Sequence, residues 1–131
     1  MNTETKPCEI QVTPGKMDPS WKAAWINALR SGEFKEKHMV WRDQKNDACG
    51  CAIGALTWVL GICKEEMAHG GLDRFAEEVT RKSGLSGQSI RIVSNLFEFG
   101  QTRLVCEQGD LFREDNKNNF AYMADWIEAN L

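Results

Sequence analysis

The uncharged run from Ala48 to Cys63, ACGCAIGALTWVLGIC, constrains the fold more than any other part of the chain. Its large apolar residues would point in several directions around a helix, which is typical of helices that are buried on all sides or that span a membrane. Roughly 16 residues at about 1.5 Å per residue extend about 24 Å, less than the roughly 30 Å of a bilayer's hydrocarbon core. The run therefore predicts a buried central helix, with Asp47 as its N-cap. A short buried strand is the alternative, but Val and Ile are sparse in the run.

Three glycines in this run predict close packing around the central helix. Gly50, Gly54 and Gly61 would each cost about 1 kcal/mol in a helix relative to alanine. A compensating benefit is expected, because a thin helix of glycines and alanines lets neighbouring segments approach its backbone. We therefore expect other segments to pack directly against these three residues.

The segments on either side of the run predict further helices. Asp18 suits the N-cap of a helix, and Pro19 suits its first position. An apolar stripe follows from Trp21, and Gly32 can supply the left-handed residue that ends the helix. Three later stretches show the same helical spacing of apolar residues, namely 72–84, 86–100 and 120–131.

Together, these patterns predict a mainly α-helical fold. Residues 18–131 are expected to form a single compact domain of about five helices around the central helix at 48–63. Residues 1–17 have little periodicity and are expected to be an N-terminal tail, in which residues 8–13 could add an edge strand. The pattern in residues 102–113 permits a small β-hairpin.

Charge and composition exclude several classes of partner. The net charge is -3, and the chain shows neither the basic footprint of a nucleic-acid-binding protein nor a polybasic membrane-binding surface. The segment from Met1 to Lys6 is polar and does not resemble a secretory signal. The cysteines number five, an odd count that favours reduced thiols in a cytoplasmic protein. No cofactor is expected, because no nucleotide-binding fingerprint is present.

Three fragments, taken together, resemble a pattern found in small uncharacterised proteins encoded by bacteriophages and prophages. They are WINALRSGEF at 25–34, CGCAIGAL at 49–56 and FAYMADWIE at 120–128. These fragments are similar to "WxxALRSGEY", "CCLGVL" and "FxxIADWIE", in the same order. The chain departs from the pattern by having Cys-Gly-Cys in place of paired cysteines and an extra stretch near residues 101–112. The resemblance implies a phage-type protein in the host cell cytoplasm and no particular chemistry.

A binding function, without catalysis, is the first hypothesis for such a protein. Small phage proteins often inhibit or sequester host factors, so the expected partner is a host protein, for example a defence factor. The loop from Glu33 to Asp47 is the expected binding surface, because Trp41 in this loop lies on no helical core stripe.

A small anionic ligand or nucleotide is the alternative partner. The N-terminal end of the central helix, with Gly50 and Cys49, would offer backbone N–H groups to an anion. Arg42 and Lys45 would add positive charge, and Trp41 would form an aromatic wall. The predicted binding residues are therefore Trp41, Arg42, Lys45, Asp47, Cys49 and Gly50.

A Cys49-dependent hydrolase is the second alternative. A thiol at a helix N-terminus has a lowered pKa and is close to backbone donors for an oxyanion. The general base would be His69, which follows the helix in the sequence. Packing of the thiols in the core competes with this interpretation. No metal site is predicted, because Cys49 and Cys51 are closer in sequence than the usual zinc ligands.

Overall fold

Helices make up most of the part of the chain that the structure describes. The computed structural model describes residues 9–10, 15–38, 40–62, 76–100, 104–105 and 118–131. The five helices in these ranges are α1 (Pro19–Ser31), α2 (Ala52–Leu60), α3 (described over 76–83), α4 (Gly87–Phe99) and α5 (Phe120–Asn130). The prediction of a compact, mainly α-helical fold is confirmed. None of the helices in these ranges combines the length and the apolarity needed to cross a bilayer.

Helix α1 forms as its local sequence predicts. The Asp18 side chain accepts a hydrogen bond from the Ser20 N–H at 2.8 Å, and Pro19 occupies the first turn. Gly32 ends the helix in the left-handed conformation, with a φ of 81°. The Trp25 indole is buried and donates to the carbonyl of Ala52 at 2.8 Å, so α1 is joined to the first turn of the central helix.

The central helix is shorter than predicted. It begins at Ala52, with Cys51 as its N-cap, so the prediction of a helix over 48–63 capped by Asp47 is wrong at its N-terminal end. Cys49 and Gly50 instead form a short strand, β3, because their backbone groups bond to a distant segment. The Lys37 N–H donates to the Gly50 carbonyl at 2.8 Å, and the Asp43 N–H donates to the Cys49 carbonyl at 2.7 Å.

Helix α2 ends at Leu60, and Gly61 is its C-cap. Gly61 is left-handed, with a φ of 78°, and its N–H bonds to the Thr57 and Trp58 carbonyls. The Ile62 N–H donates to the Thr57 carbonyl at 3.0 Å, which completes a Schellman motif. The role expected for Gly61, close packing, is therefore wrong, since a Cβ at Gly61 would meet no atom within 4 Å.

Two short strand pairs join segments that are distant in sequence. β2 (Lys35–Glu36) pairs with β3 in parallel, and Lys35 lies opposite Cys49. β1 (Glu9–Ile10) pairs antiparallel with β4 (Leu104–Val105). β4 therefore lies in the stretch predicted as a hairpin but pairs with β1, and residues 102–103 and 106–113 of that stretch lie outside the described residues.

The hydrophobic core surrounds α2. Its buried side chains come from all five helices and from the segments that connect them, and the largest fully buried ones include Trp25, Leu56, Phe97 and Ile127. Met17, in the predicted tail, is also part of the core and is 6% exposed. The prediction that the residues of α2 are buried is confirmed from Ala52 to Thr57.

Candidate functional site

The loop between β2 and β3, residues 37–48, is fixed along the central helix. Its backbone bonds to the start of α2, where the Cys51 N–H donates to the Val40 carbonyl at 2.8 Å. The Trp41 carbonyl group then crosses directly over Gly50 and Gly54. A Cβ on Gly54 would lie 2.8 Å from the Trp41 carbonyl carbon and closer still to its oxygen. The expectation that glycines allow close packing is therefore confirmed at these two positions.

Arg42 fastens the same loop to the other end of α2. Its guanidinium donates to the Thr57 hydroxyl at 3.0 Å, to the Ile62 carbonyl at 2.9 Å and to the Asp47 carboxylate at 2.8 Å. The Arg42 side chain is only 3% exposed, and within the described residues its Nε has no hydrogen-bond partner. A cation at this end of the helix is favoured by the helix dipole. Arg42 is therefore a structural anchor of the loop.

The residues predicted to bind an anion do not come together at one site. The Arg42 guanidinium lies at the C-terminal end of α2, whereas Gly50 is buried beside its N-terminal end. Lys45 and Asp47 are exposed, and Asp47 pairs with Arg42. The arrangement expected for the anionic-ligand hypothesis is therefore absent from these described residues.

A pocket of about 210 Å³ lies instead between the loop and α4. Its lining residues are Val40, Trp41, Cys51, Ser94, Glu98 and Phe99. Trp41 is half-buried and packs against the core, and Ala48 at the end of the loop does the same. Of the predicted binding residues, Trp41 alone lines this pocket, which we call the Trp41 pocket.

Among the described lining residues of the Trp41 pocket, Glu98 is the one with an ionisable carboxyl group. His38 lies beside it, with Nδ1 at 3.0 Å from a Glu98 carboxylate oxygen, and the imidazole stacks on the Phe97 ring at 4.0 Å between centroids. The other ring nitrogen lies 3.5 Å from the Glu36 carboxylate. Glu36 in turn accepts from the Phe120 N–H at 2.8 Å, at the start of α5. These contacts fix Glu98 in place, and its side chain is only 8% exposed.

Cys51 is the thiol of the Trp41 pocket. Its sulfur accepts a hydrogen bond from the Gly54 N–H at 3.4 Å, as the N-cap of α2. Burial raises the pKa of Cys51 to about 12, and the charge of Glu98 acts in the same direction. The Cys51 thiol is therefore protonated near neutral pH and is a poor nucleophile.

Cys49 does not lie at the helix N-terminus, where the hydrolase hypothesis expected it. Cys49 is half-buried in β3 and is not the cap of the helix, so the expected activation by the N-terminal end of α2 is missing. His69, the predicted base, lies outside the described residues. Among the described ranges, no group of three or more His, Cys, Asp or Glu side chains is arranged to hold a metal ion.

The raised pKa of Cys51 predicts a pH dependence of stability. Because the folded-state pKa lies above the ordinary value of about 9, the thiol's contribution is complete below pH 9 and is lost as the pH rises toward 12. Between pH 8 and about pH 10.5, the stability of the wild type relative to Cys51→Ala should fall by about 2 kcal/mol. Urea unfolding of the wild type and of Cys51→Ala at the two pH values measures this difference in the free energy of unfolding. A difference that does not change with pH would contradict the assigned burial.

Five described lining residues of the pocket, namely Val40, Cys51, Ser94, Glu98 and Phe99, were not among the predicted binding residues, and neither was the adjacent His38. The available signal was in α4, where Ser94 and Glu98 are four residues apart and so lie on the same face. Glu98 also follows Phe97 at the edge of the apolar stripe. The contact between His38 and Glu98 gave no local signal, because the two residues are 60 positions apart in the chain.

The Trp41 pocket thus joins a loop, a helix cap and the face of a second helix. Its described lining residues come from residues 40–51 and from α4, and Glu98 among them is linked through His38 and Glu36 to the start of α5. Comparison with protein-family models, curated proteins and solved structures finds no significant match to this chain.

Proposed function

We propose that this protein works by binding a host protein, without catalysis, and that the Trp41 pocket receives one side chain of that partner. The observation that carries the proposal is the pocket itself, whose described lining residues are mainly apolar and include the buried carboxylate of Glu98. The protein would act in the host cell cytoplasm as a phage-type accessory protein that inhibits or modulates its partner. The similarity of three fragments to phage-encoded proteins supports this biological setting.

The size of the pocket favours a side chain over a metabolite. Its volume of about 210 Å³ is below the roughly 300–1,000 Å³ typical of small-molecule sites. Protein interfaces commonly depend on a few residues that fill well-packed pockets of this kind, and tryptophan is enriched among them. The Trp41 pocket is therefore more typical of a protein interface, where it would hold one anchoring residue, than of a small-molecule site.

The rigidity of the loop also supports a binding function. Backbone bonds at Val40 and Asp43 hold the loop at the start of α2, and Arg42 holds it at the helix end. A site that is already shaped before binding loses little conformational entropy when the partner arrives. The Glu33–Asp47 loop thus remains the proposed binding surface, with the Trp41 side chain at its pocket.

Affinity capture from a bacterial lysate tests the proposal. The tagged wild type should retain a partner that Trp41→Ala loses, because truncation removes one wall of the pocket. Tyr122→Ala is the matched control, since Tyr122 is an aromatic residue on α5, is 47% exposed and does not line the pocket. Circular dichroism of each variant checks that the fold is kept. Equal capture by the wild type and Trp41→Ala, or no captured partner, would contradict the proposal.

A further inference from the structure

We draw no further inference here: the strongest candidate, the groove of about 460 Å³ that one face of α1, from Pro19 to Arg30, forms with Glu128 of α5, carries nothing, because nothing among the described residues shows which partner or ligand covers it.

Discussion

Replacement of Gly54 by alanine is expected to destabilise the protein by about 3 kcal/mol or more. Alanine is normally better than glycine inside a helix by about 1 kcal/mol, so an open site would give a stabilising change. At Gly54 we expect the replacement to lower the free energy of unfolding instead, because the new methyl group would meet the Trp41 carbonyl. The carbonyl carbon would lie 2.8 Å from this methyl group. The obstacle is backbone, which cannot move aside without breaking the bond between the Cys51 N–H and the Val40 carbonyl.

Urea unfolding of paired glycine variants measures this effect. Gly87→Ala is the control, since a Cβ on Gly87 would meet no atom within 4 Å. Gly87 lies in the first turn of α4, and its replacement should change the free energy of unfolding by no more than about 0.5 kcal/mol. Gly54→Ala with a midpoint at or above that of the wild type would show that the loop does not lie over α2.

The second large effect is expected at Arg42. Arg42→Met keeps the aliphatic stem and should destabilise the protein by about 3 kcal/mol, because the buried Ile62 carbonyl and Thr57 hydroxyl lose their donor. The loop would also lose its attachment to the C-terminal end of α2. The Thr57 hydroxyl still donates to the Gly54 carbonyl at 2.7 Å, so the loss of the Arg42 hydrogen bond leaves Thr57 with one of its partners.

Asp47→Asn distinguishes the ion pair from the buried hydrogen bonds. The Asp47 side chain is 56% exposed, so its pairing with Arg42 is screened by water, and its replacement should cost less than about 1 kcal/mol. Thermal or urea unfolding of both variants gives the comparison. If Asp47→Asn were as destabilising as Arg42→Met, the ion pair and not the buried bonds would anchor the loop.

Helices that carry a capping residue at both ends and an apolar stripe between them could be predicted from the sequence. Asp18, Pro19 and Gly32 mark the limits of α1, and Ser86 and Gly100 mark those of α4, as the structure places them. Each of these signals acts within one or two turns of the residue itself. Such elements follow from capping and apolar spacing alone.

The start of α2 could not be predicted in this way. Asp47 has the local chemistry of an N-cap, but the backbone of Cys49 and Gly50 bonds to residues 35–43. That pairing depends on how a loop folds back over many residues, and the apolar pattern of 48–63 contains no sign of it. Cys51 then becomes the cap, because it is the first residue after β3.

The candidate site was predictable only in part. Trp41 could be selected because it lies on no helical stripe, and it does line the pocket. The burial of Arg42 could not be foreseen, since its acceptor, the Ile62 carbonyl, is 20 residues away. The pairing of His38 with Glu98 likewise joins segments that are distant in sequence. Contacts of this kind are set by tertiary packing and leave no local pattern.

Amide hydrogen exchange tests most directly whether the loop of residues 37–48 is held on the central helix. The informative amides are those of Asp43 and Cys51, whose bonds to the Cys49 and Val40 carbonyls fix the loop. Ala55 is the reference, because its N–H bonds to the Cys51 carbonyl in the first turn of α2. Protection of Asp43 and Cys51 that approaches that of Ala55 is predicted. Exchange of both at the rate of an unfolded chain, with Ala55 still protected, would mean that the loop is not fixed and that the Trp41 pocket does not exist before binding.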